Sequence, residues 1–187
     1  MAKREPAAAQ AAQKQHKMGI RAPAKHPRRS TTPGQLLPPD FAKWFKARGW
    51  APREHQLALL ERAASRASTL LIAPTGAGKT LAGFLPSLVE LSQCDPSSLK
   101  GAGLHTLYVS PLKALSVDVA RNLETPIREM GLKIRSETRT GDTSLSRRAR
   151  QRTKPPHILL TTPEQVALLL AHPDAPYLFG DVRTVIL

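Results

Sequence analysis

Cysteine is almost absent: Cys94 is the only one in 187 residues. No disulfide can form within the chain, and a reducing, cytoplasmic setting fits this usage. The six histidines show no metal-ligand spacing with Cys94, so no zinc site is expected. No apolar run approaches the roughly 20 residues that a membrane-spanning helix needs. The basic, Ala/Pro-rich stretch Met1–Arg29 has no apolar core of the kind a secretory signal carries. Aromatic residues make up only 4% of the chain. Acid is scarce as well: 14 Asp and Glu stand against 28 Lys and Arg, a formal net charge of +14. Such a balance points to a polyanionic partner, nucleic acid before an anionic membrane surface, or else to a basic tail that only keeps the chain in solution.

Both uses of the charge are open, because it is split. Residues 1–35 carry eight bases against Glu5 alone, half of the net +14. This arm is Ala, Gln, Lys and Pro with little to bury, so disorder is expected there. The rest, residues 36–187, reads as one folded domain. Asp40 is the expected N-cap of a helix over Phe41–Arg48, with Gly49 as its stop. A second helix is expected over Arg53–Ala67, with Leu57, Leu60 and Ala64 at helical spacing. From there strand, loop and helix alternate. Strands are expected at Thr69–Ala73, His105–Ser110, Lys133–Thr138, His157–Thr161 and Val182–Leu187. Helices are expected at Lys79–Ser92, at Leu112–Leu123 with Pro126 interrupting or ending it, at Leu145–Arg152 and at Pro163–Leu170, and Cys94–Gly103 reads as loop. The expected fold class is therefore α/β: a mostly parallel sheet with helices on both faces.

The first strand leads into Ala73-Pro74-Thr75-Gly76-Ala77-Gly78-Lys79-Thr80, a Walker A P-loop with Ala73 in place of the first glycine. A triphosphate needs many donors at short range. Gly76 and Gly78 let backbone N–H groups, including those of Thr75 and Ala77, approach phosphate without a Cβ in the way. The helix that follows directs its positive end at the same point. Lys79 neutralises the β- and γ-phosphates and the Thr80 hydroxyl ligates Mg²⁺; these two are the candidate catalytic residues, with ATP and Mg²⁺ as cofactors.

A P-loop alone does not separate kinases, transporters and motors; the remaining segments do. Ser110-Pro111-Leu112-Lys113-Ala114-Leu115, Arg139-Thr140-Gly141-Asp142-Thr143 and Thr161-Thr162-Pro163-Glu164 follow the P-loop in the order and rough spacing of motifs Ia, "TGD" and Ib of superfamily 2 helicases. From about Leu37 to Leu187 the chain resembles the Lhr-like, ligase-associated DExH-box DNA helicases. The resemblance implies a P-loop NTPase fold of the RecA-like type, here the first ATP-binding domain of such a helicase. It places Gln56 like the family's adenine-reading glutamine, with Arg53 beside it. It also implies nucleic-acid contacts from Ser110, Pro111, Lys113, Gly141, Asp142, Thr162, Pro163 and Glu164. Read from the residues alone, Lys113 either grips a phosphate or is a solvated lysine at a helix start, Gly141-Asp142 is either a contact or merely a turn, and Gln56 either pairs with adenine or is a polar residue of a surface helix. The cluster Arg147, Arg148, Arg150, Arg152 and Lys154 either lines a nucleic-acid path or forms a solvated face, the second being favoured.

By the same resemblance Val185-Ile186-Leu187 leads toward the D-E-x-H motif, which is not in this sequence. The expected parent is an ATP-dependent helicase or translocase in DNA repair, acting on single-stranded or tailed DNA. Movement from 3′ to 5′ and a ligase and a nuclease as functional partners are implied by resemblance only. The stretch itself is expected to bind ATP weakly, not to hydrolyse it, and to be poorly soluble. An RNA helicase of the same superfamily and a non-enzymatic, ATP-gated nucleic-acid-binding module are the alternatives.

Overall fold

The computed structural model describes residues 37–100 and 102–187. The basic arm expected over residues 1–35 lies outside the described residues. Helix α1 (Pro39–Ala47) starts on a proline at its first position, where the missing N–H costs nothing. Pro38, not Asp40, is its N-cap. Asp40 sits in the first turn, where its charge favours the positive helix end instead. Phe41, Trp44 and Phe45 are buried on one face, and Gly49 supplies the left-handed φ of +67° that ends the helix. Helix α2 (Glu54–Ala64) is a turn shorter at its end than its apolar spacing suggested.

Helix α3 (Lys79–Ser92) occupies the expected span and buries Ala82, Phe84, Leu85, Leu88, Val89 and Leu91. Within the segment expected to be loop, α4 (Pro96–Lys100) forms because Leu99 reaches the core, 5% exposed. Helix α5 (Lys113–Glu129) runs through Pro126, which was expected to interrupt or end it. Proline there forfeits one backbone bond, to the Asn122 carbonyl, but is itself buried. The turn beyond it is tied down, since Glu129 accepts from Trp44 Nε1 at 2.8 Å and from the Arg48 guanidinium. Helices α6 (Leu145–Thr153), α7 (Pro163–Leu170) and the unexpected α8 (Ala175–Phe179) complete the set.

Strands β1 (Thr106–Val109), β2 (Ser136–Arg139), β3 (Ile158–Thr161) and β4 (Thr184–Ile186) form one parallel sheet in the order β2-β3-β1-β4. Alternate residues of the strands feed two cores. Tyr108, Ile158 and Leu160 face α1, α2, α3 and α5, with the Phe84 and Tyr108 rings 5.6 Å apart. Leu107 and Leu159 face the other way, onto Leu169 of α7 and Leu178 of α8. Both faces of the sheet are thus covered, which is why β3 reads as a continuous apolar run.

The strand expected at Thr69–Ala73 is not in the sheet. The segment is coil without a ladder partner among the described residues, and Leu70 and Ile72 are 83% and 86% exposed. An apolar run becomes a strand only where a neighbour accepts its backbone bonds, and β4 pairs on its β1 side alone.

Candidate nucleotide and nucleic-acid interface

The loop over Ala73–Thr80 has the shape that its residues dictate. Gly76 and Gly78 take φ of +78° and +72°, a region that residues with a Cβ avoid. The Ala77 N–H closes a turn on the Pro74 carbonyl at 3.2 Å, and Gly78 is the N-cap from which α3 departs. Lys79 lies folded over its own loop, donating to the carbonyls of Ala73 at 2.7 Å and Pro74 at 2.9 Å. These are neutral acceptors, so an arriving phosphate offers the ammonium a stronger partner. Thr80 follows in the first turn of α3, partly exposed.

Gln56 is brought to this loop. It is 3% exposed, and its Oε1 accepts from the Arg53 N–H at 2.9 Å in a capping arrangement for α2. Its Nε2 lies so close that a Cβ on Gly78 would stand 3.1 Å from it. Arg53 is exposed beside it.

The other sequence-selected residues gather at one edge. The register pairs Val109 with Thr161 and Thr161 with Arg139. The loops that leave β1, β3 and β2 therefore start side by side, at the carboxyl ends of three adjacent strands, where open α/β sheets take their ligands. Thr161 Oγ1 donates to the Arg139 carbonyl at 2.8 Å, and the Ser110 N–H to the Thr161 carbonyl at 3.0 Å, stitching the three loop roots together. Ser110 is buried; its hydroxyl accepts from the Leu112 N–H at 3.3 Å, while Pro111 is exposed. The Thr162 hydroxyl donates to Glu164, and this bond holds the Glu164 carboxyl below the usual range. Pro163 opens α7 beside them. Lys113, at the start of α5, and Asp142, in the loop after β2, form an ion pair, with their side chains 50% and 71% exposed.

The basic helix α6 shows what the sequence could not. Arg147 and Arg150 both pair with Glu137 of β2, at 3.2 Å and 2.9 Å, and Gln151 donates to the same carboxylate at 2.9 Å. Burial pushes the Glu137 carboxyl up, but the donors from Gln151, Arg147 and Arg150 outweigh it and hold it below the ordinary value. Arg139 donates to the Arg148 carbonyl, Arg148 to the carbonyls of Thr140 and Gly141, and Arg152 contacts His172. Much of the cluster's charge is turned inward. Glu137, ten residues ahead of Arg147, was the missing signal, and only the fold brings the two together.

Comparisons with known proteins cover most of the chain. A sequence profile of the DEAD/DEAH box helicases matches residues 53–187. The chain is 35% identical over 162 residues to an ATP-dependent helicase Lhr-Core of Methanocaldococcus jannaschii, across 81% of this chain and 19% of that protein. It is 42% identical over 154 residues to the Lhr helicase/probable uracil glycosylase of Mycolicibacterium smegmatis, across 77% of this chain and 10% of that protein. The structure of the Mycobacterium smegmatis helicase Lhr bound to ssDNA and AMP-PNP superposes with a TM-score of 0.71 at 35% identity, over 83% of this chain and 20% of that one. The chain thus spans a fifth or less of the length of these relatives.

Proposed function

The chain belongs to the DEAD/DEAH box helicases, and from that premise we propose that it is the first motor domain of an ATP-dependent DNA helicase or translocase acting in DNA repair. ATP with Mg²⁺ binds at Thr75–Thr80, and a single strand of DNA lies across the loops that follow β1, β2 and β3. The observation that carries this reading is the register that sets those three loops side by side at one sheet edge.

Bound ATP supplies the free energy for movement and Mg²⁺ the charge that offsets its phosphates. The chain's own residues do the rest. Lys79, which here donates to the Ala73 and Pro74 carbonyls, would hold the β- and γ-phosphates, and the Thr80 hydroxyl would be a ligand for the metal. The Gln56 carboxamide, fixed against Gly78, reads adenine with Arg53 beside it. Across the edge, backbone N–H groups near Ser110, Gly141 and Thr162, helix starts at Lys113 and Pro163, and the Lys113 ammonium hold backbone phosphates. Pro111, Asp142 and Glu164 line the same strip. Phosphate contacts fix position without reading sequence, as a translocating grip requires. Turnover also needs acid groups to orient an attacking water, which the loop over Ala73–Thr80 does not itself supply, so we read these residues as binding ATP without turning it over.

The test is titration of the chain with a fluorescent oligothymidylate, with oligouridylate as competitor, and an ATPase assay with strand present. Binding of the DNA strand with RNA the weaker competitor and no stimulated turnover is expected. Absence of strand binding overturns the reading, and strand-stimulated turnover overturns its account of hydrolysis.

A further inference from the structure

The turn Thr140-Gly141-Asp142-Thr143 is held from two directions. It closes on itself, with the Thr140 N–H donating to Thr143 Oγ1 at 2.9 Å and the Thr143 N–H to the Thr140 carbonyl at 3.1 Å. From outside the turn, Arg148 of α6 donates one Nη to the Thr140 carbonyl at 3.1 Å and to the Gly141 carbonyl. Arg148 is placed by its own helix, whose carbonyl at that position accepts from buried Arg139 at 3.2 Å.

In a trans peptide the carbonyl and the following N–H point in opposite directions. Tying the carbonyls of Thr140 and Gly141 to Arg148 therefore turns the N–H groups of Gly141 and Asp142 away from α6. Neither N–H has an acceptor among the described residues. Two successive outward amides form an anion-binding concavity. Lys113, paired with Asp142, stands beside it.

We propose that Arg148 is a positioning residue for the strand grip: it orients the Gly141 and Asp142 amides as a phosphate seat without touching the strand itself. This rests on the proposed nucleic-acid reading. It gives the basic helix a function distinct from lining the path, because the guanidinium is spent on main-chain carbonyls. Lysine is a partial substitute, since one ammonium can donate to two carbonyls, as Lys79 does to those of Ala73 and Pro74, but without the rigid plane of the guanidinium.

The experiment is binding of fluorescent oligothymidylate to the 187-residue chain and its R148Q and R148K variants across a range of salt, with ATP affinity measured in parallel. We expect R148Q to weaken strand binding about 10-fold and R148K less. The slope of log affinity against log salt and the ATP affinity should stay as in the parent. An unchanged strand affinity overturns the proposal. So does a slope shallower by about 0.7 in R148Q, which marks a direct phosphate contact. Should R148Q fail to fold, T143A removes the turn's own hydroxyl bond with α6 intact, and the same loss at unchanged slope is expected; no loss there counts against the seat. If the parent binds no strand at all, the nucleic-acid reading fails, and this proposal with it.

Discussion

Substituting Asp142 with asparagine should make the chain bind a single strand more tightly. Asp142 occupies the ammonium of Lys113, so a phosphate must break this pair before Lys113 can serve it. The side chains are 50% and 71% exposed, which makes the pair a solvent-screened one worth about 0.2–1 kcal/mol. Removing the competitor should therefore raise affinity about 1.5- to 5-fold, since each 1.4 kcal/mol is tenfold. Asparagine keeps the size and the turn preference of aspartate, so the turn itself is undisturbed. The assay is fluorescence anisotropy of a labelled oligothymidylate at low salt, for the parent, D142N, K113A and the double variant. The gain should fade as salt rises and the screening length falls. K113A alone should make the salt dependence shallower by about 0.7, and D142N should gain little in its background, the coupling expected of two residues that act on each other. If D142N binds more weakly than the parent, or gains as much without Lys113, the competition does not exist.

Two further outcomes follow from the same geometry. Gly78→Ala places a Cβ 3.1 Å from Gln56 Nε2 at a φ of +72°, so a melting temperature lower by several degrees and weaker ATP binding are expected; calorimetry and nucleotide titration check both, and an unchanged pair of values contradicts the close approach. His157 is buried and neutral, its pKa pushed down to about 4 by burial, with Nε2 against the Leu99 carbonyl at 2.9 Å and Nδ1 accepting from the Arg135 N–H at 3.1 Å. Because the unfolded chain takes up that proton more readily, its contribution is complete above pH ~6.5 and is lost as pH falls toward 4, by up to about 1.4 kcal/mol per pH unit; denaturant unfolding of the parent should steepen there and that of H157N should not.

Much of the fold is legible in the sequence where local chemistry decides the outcome. Lys79–Ser92 and Pro163–Leu170 form the expected helices because a glycine cap in one and a proline at the first position in the other fix where they start. The alternation of strand and helix gives a parallel sheet covered on both faces. The three loops chosen by their motifs do meet at one edge, because parallel strands of matched register bring their carboxyl ends together. What was not legible depended on distant partners. Thr69–Ala73 has the composition of a strand, but pairing requires a neighbour. Pro126 has the signature of a helix stop, but burial and the Glu129 contacts with Trp44 and Arg48 carry α5 past it. The charges of Arg147–Lys154 are visible in the sequence, while the carbonyls and the Glu137 carboxylate that absorb many of them are not.

The central claim is that one domain holds two separate phosphate grips, one for nucleotide and one for a strand. The most direct test titrates fluorescent ATP and labelled oligothymidylate separately into the parent, K79A and K113A. The account predicts that K79A abolishes nucleotide binding and leaves strand affinity in the absence of nucleotide unchanged, while K113A weakens the strand and spares the nucleotide. Loss of both ligands in either variant, with the fold intact, or of neither in both, would contradict it.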